Sequence, residues 1–217
     1  MVELKNFYLH AVYGNDGEPF NREKSIQNLE RILQSGYILS RRKMKDTDKS
    51  KGGWNGLDYI SICDYSKKDA PPFENKKFYR GYTAYNMYIS TSIALILKKQ
   101  GIRAIIPTLM PPAVFDYESL QEMRYLGNHP TQRFSDLPDE VQVKNQITLS
   151  KMVGLTLPIH YMTKEIKEKT YTSEEILNVL RDVQELLRDY HREDPIYDLE
   201  TQIELKGKEE IEYVLRK

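Results

Sequence analysis

A glutamate, a histidine and a tyrosine in this sequence each stand in a segment with the composition of a β-strand. Glu140 opens the run 140–149, His10 lies in the apolar run 6–13, and Tyr59 lies in the alternating run 58–65. A fixed carboxylate can stabilise developing positive charge and accept a proton. Taken singly, each residue also has an ordinary structural interpretation: a solvated glutamate at a strand edge, a buried histidine and a packed tyrosine.

The hydrophobic pattern predicts the elements that position these residues. The run 6–13 is rich in strand formers and predicts the first strand. Apolar residues with helical spacing predict a helix over about residues 22–35, ended by Gly36 and followed by a short strand over 37–39. Late strands are expected over 140–149 and 152–158, and a capping box of Thr172 with Glu175 begins a long amphipathic helix.

Between these elements lie two apolar runs, 93–97 and 102–106, joined by Lys98-Lys99-Gln100-Gly101. They predict either a hairpin or two neighbouring strands. Residues 41–53, 66–86 and 127–138 are polar and predict loops, and residues 118–126 predict a short helix. Short strands with few helices, without regular βαβ alternation or a glycine-rich phosphate fingerprint, predict an α+β fold and disfavour a Rossmann or P-loop enzyme.

Composition restricts the function classes further. The 217 residues predict one globular domain, and the formal net charge of zero disfavours a protein that lives on duplex nucleic acid. Cys63 is the only cysteine and is expected to be a small core residue. The remaining histidines, at 129, 160 and 191, have no metal-ligand spacing, so no metal site is expected. Without a signal peptide or an apolar run of spanning length, we expect a cytoplasmic protein with no membrane partner.

Three segments match, in order, a pattern seen in one enzyme superfamily. The first is Tyr8-Leu9-His10 followed by Asn28-Leu29-Glu30-Arg31-Ile32-Leu33-Gln34-Ser35-Gly36; the second is Leu57-Asp58-Tyr59-Ile60-Ser61; the third is Glu140-Val141-Gln142-Val143-Lys144-Asn145-Gln146-Ile147-Thr148-Leu149. Together they resemble the ADP-ribosyltransferase superfamily in its His-Tyr-Glu branch, which includes poly-ADP-ribose polymerases and DarT-type toxins. The resemblance spans about residues 6–158.

The resemblance implies a fold and an activity. It implies two packed, mostly antiparallel sheets that form an NAD cleft with flanking helices, in a single domain over residues 1–217. The core covers about 6–158 and a C-terminal helical extension about 172–217. The implied activity is transfer of ADP-ribose from NAD, a pentosyl transfer without a metal. The acceptor is an unknown protein or nucleic acid, and the biological role that of a toxin, effector or defence protein, with delivery into another cell left open.

The resemblance also assigns roles to single residues. Glu140 would be the catalytic carboxylate, His10 would hold a ribose hydroxyl, and Tyr59 would stack on the nicotinamide ring. Ala11 and Ser61 would line the same NAD site. Arg41 and Arg42 fit the pyrophosphate through charge-assisted hydrogen bonds, or belong to a solvated basic loop.

Two departures keep alternatives open. The family often has Gly-Thr after the histidine, where this sequence has Ala11-Val12. The segment Ser90-Thr91-Ser92 resembles the second motif of the related Arg-Ser-Glu branch and rivals Tyr59–Ser61, but residues 6–13 contain no arginine and Pro138 stands where that branch has Glu or Gln. A catalytically inactive binding module and an RNA 2′-phosphotransferase-like enzyme therefore remain as alternative functions.

Overall fold

The computed structural model describes residues 2–13, 18–39, 59–65, 89–102, 104–105, 140–144 and 146–217. In this part of the chain the helices are α1 (Arg22–Ser35), α2 (Ile159–Met162), α3 (Ser173–Asp189) and α4 (Lys208–Leu215). The strands are β1 (Phe7–Ala11), β2 (Tyr37–Leu39), β3 (Tyr59–Asp64), β4 (Ala94–Lys98), β5 (Ala104–Ile105), β6 (Glu140–Lys144), β7 (Gln146–Thr148), β8 (Met152–Leu157) and β9 (Ile196–Asp198).

Seven of these strands form one sheet, in the order β5-β6-β3-β1-β4-β8-β9. All of its neighbours pair antiparallel except β8 and β9, which pair parallel. Strands β2 and β7 form a second, two-stranded antiparallel sheet. The predicted class, a mixed α+β fold with two mostly antiparallel sheets and flanking helices, is confirmed.

Helix α1 forms where the sequence predicts it, because both of its ends carry local signals. At the start, the Asn21 side chain accepts a hydrogen bond from the backbone N–H of Lys24 at 3.0 Å. At the end, Gly36 takes a left-handed conformation with φ of 72° and donates its N–H to the carbonyls of Ile32 and Leu33. The helix therefore begins and ends at residues whose chemistry satisfies its terminal backbone groups.

Helix α3 begins with the predicted capping box. The Thr172 hydroxyl accepts from the Glu175 backbone N–H, and the Glu175 carboxylate accepts from the Thr172 N–H at 2.7 Å. These hydrogen bonds to the charged form lower the pKa of Glu175. One face of the helix is buried, and it consists of Ile176, Leu177, Val179, Leu180, Val183 and Leu187.

Buried residues cover both faces of the large sheet. The main core contains the buried faces of α1 and α3 together with Leu95, Leu97 and Leu155. A second core lies on the other face, and its buried members are Leu4, Leu9, Cys63, Tyr65, Ile89, Ala94, Ile96 and Leu199. Residues 94–97 of β4 alternate between these two cores, which explains why this run is apolar without interruption. Cys63 is completely buried, as expected for a core cysteine.

One strand prediction is wrong and a second is confirmed in part. The runs around 93–97 and 102–106 do not form a hairpin or neighbouring strands, because both edges of β4 are occupied by β1 and β8, while β5 pairs with β6. The predicted strand over 140–149 is divided: β6 belongs to the large sheet, and β7 pairs with β2 in the small one. In both cases the outcome depends on distant partner strands. The predicted helix at 118–126 and the three predicted polar loops lie outside the described residues.

The C-terminal segment is built into the same sheet as the N-terminal strands. Besides α3 it contributes strand β9, which pairs with β8 through Leu155↔Ile196 and Leu157↔Asp198, and helix α4. The guanidinium of Arg22 on α1 binds the Asp182 carboxylate of α3 with two hydrogen bonds, at 2.5 and 2.8 Å, and this contact raises the pKa of Arg22. Within the described ranges, no helix has the length and apolarity needed to cross a membrane.

Candidate active site

Strand β1 places His10 in the middle of the large sheet. Its neighbour Leu9 is fully buried, while His10 itself is half-buried and lies opposite Leu95 of β4. Ala11, the next residue, lies opposite Ala94 and ends the strand. The predicted strand for His10 is confirmed, and its role toward a ribose hydroxyl stays a prediction.

The strands that carry the histidine, the tyrosine and the glutamate are consecutive neighbours in this sheet. β3 lies between β1 and β6, and the register pairs Leu9 with Cys63 and Cys63 with Glu140. Leu9, Cys63 and Glu140 therefore form one row across three strands, which we call the Glu140 row. Because adjacent strands are about 4.8 Å apart, the backbones of β1 and β6 are about 10 Å apart at this row. His10 is one residue along β1 from Leu9, so it lies on the opposite face of the strand, the face of its partner Leu95 in the main core.

Tyr59 and Ser61 lie on β3, but at some distance from the Glu140 row. Ser61 pairs with Gln142 and Tyr59 pairs with Lys144. Tyr59 is thus four residues along β3 from Cys63, about 13 Å at the usual rise of a strand. The structure brings the backbones of His10 and Glu140 together and places Tyr59 toward the other end of β3.

The segment Ser90-Thr91-Ser92 lies at the end of β1. Ser90 and Thr91 lie in a short helical turn, Ser92 follows it just before β4, and Thr91 and Ser92 are buried. The Ser92 hydroxyl donates to the carbonyl of Tyr13, and the Val12 N–H donates to the carbonyl of Ile93 at 2.8 Å. This segment therefore leads into β4. This segment also holds the backbone just after Ala11. Ser92 and Tyr13 are 79 residues apart in sequence, so local patterns could not reveal this contact.

Glu18 and Phe20, which precede α1, contact residues beyond β8. The Tyr171 hydroxyl donates to the carbonyl of Phe20 at 2.7 Å, and the two rings meet edge to face with centroids 5.7 Å apart. Lys167 pairs with Glu18, and the Tyr161 hydroxyl donates to the Glu18 carbonyl. The connection between β1 and α1 is therefore fixed at both of its described ends.

Arg41 and Arg42, the predicted pyrophosphate ligands, lie outside the described residues. The described chain reaches Leu39 at the end of β2, where it pairs with Gln146 of β7. β7 in turn comes directly after β6, the strand that Glu140 opens. Among the described residues, no group of three or more His, Cys, Asp or Glu side chains is arranged to hold a metal ion.

Known proteins give a distant structural likeness. The chain is similar to DarT from Thermus sp. 2.9 in complex with NAD+, with 13% sequence identity, a TM-score of 0.40 and coverage of 90% of this chain and 95% of that chain. It is similar to the same protein in complex with ADP-ribosylated ssDNA, with 13% identity, a TM-score of 0.41 and coverage of 93% and 98%. No family model matches the sequence, and no curated protein matches it.

Proposed function

We propose that this protein is an NAD-dependent mono-ADP-ribosyltransferase with an ADP-ribosyltransferase fold, whose catalytic carboxylate is Glu140. The observation that carries the proposal is the order of the central strands. The sequence motifs name three strands that are far apart in the chain, and the sheet makes them neighbours as β1, β3 and β6. This adjacency places the three motif strands side by side, with His10 on the face of β1 opposite to Leu9 of the Glu140 row.

The chemistry explains the need for a carboxylate. Breaking the bond between nicotinamide and ribose passes through an oxocarbenium-like species, as glycoside hydrolysis does. The bonding electrons leave with nicotinamide, which departs as a neutral molecule and needs no acid. A fixed carboxylate at Glu140 would hold a ribose hydroxyl, stabilise the positive charge on the ring, and accept the proton of the attacking nucleophile.

The other site residues have supporting roles in this proposal. His10 holds a ribose hydroxyl, and Tyr59 and Ser61 lie on the strand between His10 and Glu140. Arg41 and Arg42 supply charge-assisted hydrogen bonds to the pyrophosphate. The acceptor is a macromolecule, protein or nucleic acid, and the enzyme acts as a toxin, effector or defence protein in the cytoplasm of the cell in which it works.

One observation favours a second function, an inactive module that binds a nucleotide or a protein. In the family, Gly-Thr after the histidine gives the nicotinamide amide access to the backbone. Here Ala11 carries a methyl group at that place, and the Val12 N–H is already donated to the carbonyl of Ile93. Less backbone is therefore free to meet nicotinamide than a glycine would leave.

Labelled NAD+ distinguishes the two functions and identifies the acceptor class. The pure protein is incubated with NAD+ that carries label in the adenylate half and with a cell lysate, and the product is digested separately with protease and with nuclease. The proposal expects a labelled macromolecule that is sensitive to one of the two digestions. Binding of NAD+ without nicotinamide release or label transfer would support the inactive module instead.

A further inference from the structure

Residues 198–202 form a turn near the C-terminus, and hydrogen bonds to the side chain of Asp198 stabilise it. This carboxylate is almost fully buried, and its Oδ2 accepts from the backbone N–H of Thr201 at 2.7 Å and from the Thr201 hydroxyl at 2.8 Å. The Gln202 N–H donates to the Asp198 carbonyl at 3.0 Å. Aspartate is favoured in such turns because its short side chain can bond to the backbone that follows it. We call this segment the C-terminal turn.

Gln202 ends the C-terminal turn in an uncommon backbone conformation. Its φ is 58°, in the left-handed region that residues with a Cβ rarely adopt. Its side-chain Oε1 accepts a hydrogen bond from the backbone N–H of Leu4 at 3.1 Å. Leu4 is fully buried and lies in the short 3-10 turn that leads directly into β1. A strained conformation persists only where its surroundings hold it, so Gln202 and the start of β1 are fixed against each other.

Leu199 connects the same turn to the Glu140 row. Its N–H donates to the Leu157 carbonyl at 3.1 Å, and its carbonyl accepts from the Tyr65 hydroxyl at 3.4 Å. Leu199 is buried in the second core, which also contains Leu9 and Cys63, two members of that row. The C-terminal turn therefore contacts the segment before β1 and the residue after β3, and packs in one cluster with Leu9 and Cys63.

We propose that Gln202 is a positioning residue for the candidate active site. Its hydrogen bond to Leu4 holds the C-terminal turn against the second core. The C-terminal turn then keeps β1 and β3 in the register that aligns Leu9 and Cys63 with Glu140. The catalytic part of this inference rests on the proposed function. The structural part, the coupling of Gln202 to β1 and β3, does not.

Three variants separate the hydrogen bond from the backbone strain. Gln202→Gly removes the acceptor while tolerating the positive φ, and Gln202→Glu keeps an acceptor oxygen at the same distance along the side chain. Glu200→Ala changes an exposed residue in the same turn and serves as the matched control. If Gln202→Gly fails to fold, Gln202→Asn replaces it, because asparagine also tolerates the left-handed region and is one methylene shorter.

Two readouts are compared well below the melting temperature of every variant. The first is amide hydrogen exchange in β1 and β3, and the second is nicotinamide release from NAD+. For Gln202→Gly we expect faster exchange in both strands and a kcat lowered about tenfold with little change in KM, since displacement of about 1 Å near the chemistry can cost up to about a hundredfold. Gln202→Glu should restore both readouts, and Glu200→Ala should match the wild type.

Unchanged exchange in β1 and β3 in the Gln202→Gly variant would overturn the inference. A loss of kcat that Gln202→Glu shares equally would also overturn it, since the hydrogen bond would then not be the cause. A wild-type protein that releases no nicotinamide would contradict the proposed function, and hydrogen exchange alone would then decide whether Gln202 holds the two strands.

Discussion

Backbone groups next to His10 already form hydrogen bonds within the fold, and this limits what a ligand near His10 could contact. Ala11 pairs with Ala94, and the Val12 N–H donates to Ile93. Tyr13 accepts from the buried Ser92 hydroxyl through its carbonyl. A ligand at this place would therefore meet side chains more readily than the backbone groups of Val12 and Tyr13.

Arg41 and Arg42 give the first residue-scale prediction. If their guanidinium groups hold the pyrophosphate of NAD+, changing both to alanine removes charge-assisted hydrogen bonds that contribute about 1.5–3 kcal/mol each. We expect calorimetric titration to show NAD+ affinity lowered at least tenfold, while the melting temperature of the free protein stays nearly the same.

Arg31→Ala, on the exposed surface of α1, is the control for that titration, since it removes a positive charge of the same kind from another place. Equal NAD+ affinity in the double variant and the control would assign Arg41 and Arg42 to a solvated basic loop.

At the element scale, the sequence predicts most reliably where the signals are local. α1 is bounded by Asn21 and Gly36, and α3 begins at the Thr172–Glu175 capping box, all of which local chemistry determines. β9 and the partner of β5 were not predicted, because a strand of two or three residues is defined only by the distant strand that it pairs with. The motif residues lie on three strands that are neighbours in the sheet, but the four-residue offset of Tyr59 from the Glu140 row depends on register, which local patterns do not determine.

The capping box of α3 predicts a pH dependence of stability. The folded state lowers the pKa of Glu175 below its ordinary value of 4.5 through hydrogen bonds with Thr172. A carboxylate with a lowered pKa stabilises the fold at pH values above its unfolded pKa, and this contribution is lost as the pH falls through its folded pKa. Glu175→Gln keeps a side chain that can form the box but removes the charge.

Chemical denaturation of the wild type and Glu175→Gln between pH 7 and pH 2 measures this effect. The wild type should be more stable near neutral pH, and the difference should shrink below about pH 4.5, the ordinary value from which this pKa is lowered. Glu174→Gln, in the same helical turn, is the control. A difference that stays constant over the whole range would show that the Glu175 charge does not stabilise the helix start.

At the scale of the whole molecule, residues distant in sequence support the candidate site. Tyr171 and Lys167 hold the connection after β1, while the C-terminal turn packs beside the Glu140 row. The Arg22–Asp182 pair joins α1 to α3. The resemblance to the family covers about residues 6–158, yet the described structure places the segment beyond it in both cores. We therefore expect the two parts of the chain to unfold together.

NAD+ should stabilise the whole molecule if it binds the native state alone. The expected gain is RT ln(1 + [L]/Kd), about 2.7 kcal/mol at a hundredfold excess over Kd. For a chain of this length that corresponds to a rise of about 5–10 °C in melting temperature. Thermal melting with and without millimolar NAD+ measures this rise. ADP-ribose, which lacks the nicotinamide group, serves as a comparison. The absence of any shift at all NAD+ concentrations would favour a module that binds a protein.

Nicotinamide release by Glu140→Gln tests the central claim most directly. The substitution preserves shape and one acceptor oxygen but removes the negative charge, so NAD+ binding should change little while kcat falls by about 10² to 10³. Gln142→Ala, two positions along β6, is the matched control and should retain nicotinamide release. A Glu140→Gln enzyme that releases nicotinamide at the wild-type rate would show that Glu140 is not the catalytic carboxylate.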